Sequence, residues 1–285
     1  MTTTSITSGQ HKQFKNFVKE TAEKALKESS IDKDALQRLI ANGGELQSSI
    51  LAAIKRLSVS NQFAGEEVSS SYVYPAGYKV KPVADQVSIL RRYFPGLGPD
   101  KKDTGRDLPT GAEGFFAIPR WDKIATSYNE AVEKVLTAIK STRQLYNYRE
   151  NQLGADRLRQ HQRTVSMFAQ IGEQRTGDTL VIPAQFGMRH RGRSVRRARE
   201  VFTANEFGLG AFAIGCMLLT HPERLTRYED LWIDCSGDEY NVPDGARRWF
   251  RAPYFGIGGG RVWFGAYWVH HAHELYGSAS GFLPQ

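Results

Sequence analysis

The chain has 285 residues, 40% hydrophobic, 11% aromatic and 24% charged, and its 38 basic and 30 acidic side chains leave a net charge of +8. That composition belongs to a folded globular protein of one large or two small domains and excludes a disordered chain. Two cysteines, Cys216 and Cys235, are too few for a disulfide framework or a four-cysteine zinc site.

The polar start MTTTSITSGQHKQ lacks the apolar core of a secretory signal. The longest uncharged apolar run, 207–219, has 13 residues, short of the ~20 a membrane helix needs. A cytoplasmic chain without a membrane span is therefore expected. Residues 11–59 read as helical. Phe14, Phe17, Val18, Thr21, Ala25 and Leu26 recur every three or four positions, as do Leu36, Leu39 and Ile40, and then Leu46, Ile50, Ile54 and Leu57. Ser30 or Asp32 suits the cap of the middle segment, and Asn42-Gly43-Gly44 marks the turn after it. The expected unit over 1–65 has two or three helices with one apolar face. It either docks a partner or caps the main domain.

Beyond it the texture changes. Val68 to Tyr74 is aromatic and β-branched ahead of Pro75 and predicts a strand. Residues 83–94 have a helical period that Pro95 stops, 95–114 form a Gly/Pro/Asp loop, and 115–118 a short buried strand. Ile124, Tyr128, Ala131, Val135 and Ile139 share one face of a helix expected from Asp122, and 155–173 predicts another. Residues 179–182 and 231–234 read as strands. From Trp249 onward glycines and aromatics predict short antiparallel strands, with Gly256 to Gly260 as a tight turn that lacks the Lys-Ser/Thr ending of a phosphate loop. Helices early and short strands late make the fold class α+β.

His270, His271, His273 and Glu274 are zinc-type donors. On a strand only His271 and His273 would share a face, and no third ligand stands near, so no metal is assigned. Cys216 lies in an apolar run that predicts an inert thiol, and Cys235 in a more polar one. Arg189, Arg191, Arg193, Arg196, Arg197 and Arg199 crowd into eleven residues. They suit either phosphates or ion pairs inside the fold, for which Asp234, Asp238, Glu239 and Asp244 are the expected partners.

Asp230 to Tyr240 (DLWIDCSGDEY), Arg251 to Phe255 (RAPYF), the Gly/aromatic stretch that follows and the closing YGSASGFLPQ together resemble the variable, or target, proteins of diversity-generating retroelements. That family is similar in fold to C-type lectins, in the branch of the formylglycine-generating enzymes. The resemblance covers 179–285, is looser over 68–178 and leaves the first sixty residues aside. It implies a C-type lectin-like ligand-binding domain over 66–285, with the strand at 72–74 beside the last strand near Phe282. It also implies a variable region at about 250–285, whose codons a reverse transcriptase rewrites at adenines. Asparagine codons altered at adenines reach the Tyr, His, Gly and Leu found here, but not Trp or Glu. The implied binding surface is Trp263, Gly265, Tyr267, Trp268, His270, His271, His273, Glu274 and Leu275. Its partner would be a protein or another surface ligand, met by a monomeric chain with no cofactor and no catalytic residue. The alternatives are a nucleic-acid binder using Arg189 to Arg199, or an enzyme of the formylglycine-generating type, which needs a reactive thiol or a metal.

Overall fold

A computed structural model describes residues 7–57, 61–75, 77–98, 107–175, 177–242 and 248–284. The chain divides into two compact units, Met1–Val59 and Ser60–Gln285. The division falls slightly before the expected boundary at residue 65. Residues 61–65 belong to the second unit, where the Gln62 and Phe63 N–H groups donate to the Glu200 carboxylate at 2.7 and 3.1 Å.

The first unit holds helices α1 (Ser8–Glu28), α2 (Lys33–Ala41) and α3 (Gly43–Leu57). Thr7 and Gln10 close a capping box on α1, and the Asp32 carboxylate caps α2 by accepting from the Ala35 N–H at 2.7 Å. Of the two candidate caps Asp32 is used, while Ser30 takes a left-handed backbone in the turn before it (φ 47°). None of the described side chains of these helices is buried.

In chain order the second unit runs α4 (Val83–Tyr93), β1 (Gly114–Pro119), α5 (Tyr128–Thr142), β2 (Leu145–Asn147), β3 (Leu158–Gln160), α6 (Gln162–Gln174), β4 (Thr179–Gln185) and α7 (Val195–Val201). It continues β5 (Glu206–Gly208), α8 (Ala211–Thr220), β6 (Trp232–Asp234), β7 (Asp238–Tyr240), β8 (Arg251–Gly258), β9 (Arg261–Trp268), β10 (Tyr276–Ser278) and β11 (Ser280–Phe282). The class is mixed α+β. One antiparallel sheet has the order β1-β4-β11-β5. The other has the order β10-β6-β8-β7-β3, with β9 against β8 and β2 against β9. The C-terminal strands are not uniformly short and antiparallel. β8 and β9 are eight residues each, and β10 runs parallel to β6.

Local chemistry explains where expectation and structure part. Ser127 accepts from the Glu130 N–H at 3.1 Å, so α5 starts at Tyr128 while 121–123 forms a 3-10 turn. Pairing of β3 with β7 keeps 158–160 extended, so α6 starts at Gln162. The strand expected over 68–74 does not form. That segment is extended, but among the described residues its strand-like contacts are limited to a bridge at its edge, from Glu67 to Arg193, and the Val68 N–H donated to the Gly192 carbonyl at 2.8 Å. Its aromatic side chains serve elsewhere, since the rings of Tyr72 and Tyr74 lie 5.8 and 4.7 Å from the guanidinium of the buried Arg224. β11 pairs with β4 and β5 and not with residues 72–74. Among the described residues no helix is long and apolar enough to cross a membrane.

The apolar run at 207–219 becomes β5 and α8, and every residue of α8 is buried. β5 and β11 meet over a buried carboxylate. Glu206 accepts from Ser280 Oγ at 2.7 Å and from His190 Nε2 at 2.7 Å, and pairs with Arg189 at 3.2 Å. His190 Nδ1 accepts from Arg193 at 3.1 Å, so the imidazole is neutral and its one proton points at Glu206. Burial would raise Glu206, but the His190 and Ser280 donors and the Arg189 charge outweigh it and hold the carboxyl below the usual carboxylate range. A carboxyl depressed in the folded state stabilises the fold above its unfolded value, and that contribution fades as pH falls below about 4–5. Urea titrations across this range should show the loss. Glu206→Gln should flatten the pH dependence while lowering stability at pH 7 by ~3–5 kcal/mol.

Candidate functional site

The site is built on the β8–β9 hairpin. Gly259 and Gly260 turn the chain with φ of 58° and 74°, a left-handed pair that suits a two-residue hairpin loop. Strand alternation then sorts the side chains. Phe255, Ile257, Val262 and Phe264 enter the core, while Tyr254, Trp263 and Tyr267 stand on the opposite face. On that face large rings lie over glycines. Gly265 pairs with Tyr254, whose hydroxyl and ring lie 2.7 and 2.8 Å from where a Cβ would be. Trp263 lies 2.2 Å from the corresponding position at Gly258, and Trp232 2.7 Å from that at Gly256. The glycines thus form seats for the rings, and any side chain there would lift a ring off the sheet.

Neighbouring strands extend this face into one ring-to-ring network. Trp232 of β6 is stacked between Tyr254 at 5.3 Å and Tyr276 at 5.0 Å, and Trp263 meets it edge-on at 5.5 Å. β2 lies parallel to β9 with Tyr146 opposite Trp263. Tyr148 contacts Trp263 at 6.2 Å and Tyr146 at 4.6 Å. At the other end His273 and His271 pack on Tyr276 at 4.8 and 5.8 Å, and Tyr267 packs on His271 at 4.9 Å. Each such pair adds ~0.5–1.5 kcal/mol beyond area burial. Tyr146, Tyr148 and Tyr267 stay 49%, 47% and 42% exposed, so both ends of the network face water.

The nine residues expected at the surface do not form one patch. Trp263, Tyr267, His271 and His273 belong to this network. Gly265 is buried and contributes a seat in place of a contact. Trp268 points the other way at the end of β9. There it joins Phe250 at 6.1 Å, His270 at 5.9 Å and the Arg251 guanidinium at 4.3 Å. Glu274 is exposed and its carbonyl accepts from Ser70, while Leu275 is half-buried with its carbonyl accepting from the Trp232 N–H at 2.7 Å. The histidines follow β9 in a turn, so strand alternation does not govern them. Burial, and then the charges of His273 and His270, lower His271, which favours its neutral ring.

Tyr146, Tyr148, Trp232, Tyr254 and Tyr276 are members that sequence reasoning missed. A period-two alternation of aromatics with glycines along 254–265 was the available signal for Tyr254. Asp234 shares the Trp232 face by alternation and is buried; desolvation, opposed by Arg199, lifts its carboxyl to about 7. Among the described residues no three metal-ligating side chains converge. Cys216 and Cys235 are both buried, which corrects the polar setting expected for Cys235, and burial pushes both thiols up.

The arginine segment is built into the fold, Arg199 against the expected acidic run and the others largely against partners that were not expected. Arg196 chelates Glu66, Arg193 and Arg197 share Glu67, and Arg197 also reaches Glu200 at 2.9 Å. Arg189 meets Glu206 as described, and Arg199 donates to the Ser236 and Asp238 carbonyls at 2.9 and 2.7 Å. Only Arg191 of the six is exposed, so the segment offers no open basic face. From the expected acidic run, Asp238 caps α8 and Glu239 pairs with Arg159, while Asp244 lies outside the described residues.

Comparison with models of known families, with characterised proteins and with solved structures finds no match. The glycine seats make a direct prediction. Gly256→Ala should displace Trp232 and cost ~1–3 kcal/mol in a denaturant titration, as overpacking does. It should also change the near-UV circular dichroism, which reports the stacked rings.

Proposed function

We propose that the second unit is a ligand-binding domain that presents the aromatic network to a macromolecular partner, most simply a protein. The observation that carries this reading is the network itself, a ring surface open at both ends on strands whose other face is anchored in the core. Rigid aromatics beside small residues give large contact area at low entropic cost, as in antibody paratopes. Tyr267, His271 and His273 lie at its rim, where replacement disturbs little of the core.

We further propose the finer reading that the resemblance implies. The domain is C-type lectin-like, and its rim positions are diversified by a retroelement. Support comes from the separation of substitutable rim residues from the seats and stacked rings beneath them. In this reading Trp232, Tyr254 and Trp263 are the constant base.

The test has two parts. The triple variant Tyr267→Ala, His271→Ala, His273→Ala should stay folded but melt several degrees below the parent, because it gives up rim ring contacts of ~0.5–1.5 kcal/mol each and no core side chain. It should also weaken binding of the cognate ligand at least ~30-fold, as loss of anchor aromatics does. The DNA around the gene should contain a near-copy of the codons for 250–285 that differs at adenines. Unfolding of the triple variant would show those side chains to be structural and would overturn the binding surface. Absence of the repeat would overturn the diversification.

A further inference from the structure

Three helices in water need a buried face, because helical propensity alone does not sustain segments of this length. The first unit has none: its described side chains are all at least partly exposed, with Phe14 at 49% and Phe17 at 64%. Its apolar positions line an open groove of about 730 Å³ in which Phe14 and Phe17 face Leu36, Leu39, Ile50 and Ile54. The large apolar side chains of that groove leave on the order of 700 Å² per chain exposed, so two copies together reach the ~1,200–2,000 Å² of a stable interface.

We infer that this groove is closed by a second copy of the chain, with α1 packed antiparallel on its symmetry mate. The order of side chains along α1 carries the choice of occupant. The centre of the apolar stripe is large in its first half (Phe14, Phe17, Val18) and small in its second (Thr21, Ala22, Ala25), with Leu26 at its C-terminal edge. A twofold axis between residues 19 and 20 sets Phe14 against Ala25, Phe17 against Ala22, and Val18 against Thr21 of the mate, and at the edge Leu26 against Gln13. An isologous contact requires knob and hole on one surface, and this stripe supplies both. The pairing also follows the layering of antiparallel helices, in which positions on opposite sides of the seam meet.

The charges agree. α1 carries five lysines and three glutamates, with i,i+4 pairs Lys19–Glu23 at 3.9 Å and Lys24–Glu28 at 3.7 Å. Interleaved signs do not repel a like helix, and they do not make the single-sign basic face that an anionic membrane attracts.

Sedimentation of the full chain across a dilution series tests the pairing. The parent should approach twice 32.0 kDa. Phe14→Ala with Phe17→Ala leaves voids, and Ala22→Phe with Ala25→Phe sets ring against ring. Each double variant should weaken self-association at least ~30-fold. Mixing the two double variants should restore the dimer, because every layer then pairs large with small. The chain carrying all four substitutions should self-associate like the parent. Circular dichroism confirms that each variant keeps its helices. Any variant that loses helix is judged through the fourfold chain, whose composition is that of the parent. A parent that stays monomeric, a dimer indifferent to both double variants, or a mixture that does not recover would each overturn the pairing. A monomer with stable helices would mean that the groove is filled from within the chain.

Discussion

The constraint on which the second unit depends is the burial of α8 on every side. Ten consecutive residues without a polar face can exist only as a helix enclosed by protein, and each end must then find its own hydrogen-bond partners. At the N-terminus the Asp238 carboxylate of β7 accepts from the Ala211 N–H at 2.7 Å and from the Tyr128 hydroxyl of α5 at 2.8 Å. One side chain thereby joins α8, a strand and a second helix. At the C-terminus Thr220 donates to the Met217 carbonyl at 2.9 Å. Midway, Gly215 lets Val135 of α5 approach to 2.8 Å of where a Cβ would stand, so the two helices pack at close range.

From that enclosure the placement of the aromatic face follows. The inner residues of β6, β8 and β9 belong to the same core as α8. A sheet committed to the core on one face has its other face left over, and here aromatic rings on glycine seats fill it. Such a surface answers two opposed demands. The strands are anchored from within, so the backbone keeps its position when rim residues change. The rings lie outside, so their exchange exposes no core. Core substitutions cost ~2–5 kcal/mol against a total stability of ~5–15 kcal/mol, which is why the proposed diversification is assigned to the rim and not to the core.

The parts of this arrangement legible from sequence are those set by neighbours in the chain. α4 before Pro95, the apolar face of α5, β1, β4, β6 and the Gly259–Gly260 turn all announce themselves within ten or so residues. What was not legible depends on distant partners. Glu66 and Glu67 meet Arg196 and Arg197 from 130 residues away, so the nearer acidic run was the wrong choice. Tyr146 reaches the aromatic network because β2 adds in parallel to β9, a pairing that no local pattern encodes. Val68 to Tyr74 has strand composition, but its tyrosines are recruited by a buried arginine and its backbone finds only a bridge. Trp268 was grouped with Tyr267 by adjacency, although adjacent strand residues point to opposite faces.

The two apolar surfaces of this chain differ in how complete they are. On the sheet face every large ring already has ring neighbours, so a ligand gains contact area without the face needing it for stability. In the helical unit the described apolar side chains all remain partly exposed around the groove, and helices of this length need a buried face in order to persist. The first surface therefore suits a transient partner and the second a constant one. Joining two chains through the constant contact gives one assembly two aromatic faces. For a partner carrying repeated epitopes, the second engagement becomes intramolecular, and avidity exceeds single-face affinity by ~10²–10⁴ where the connection lets both faces reach. Under the proposed diversification, in which rim side chains are exchanged without refinement of each contact, that multiplication would matter most, because single contacts chosen by chance bind weakly.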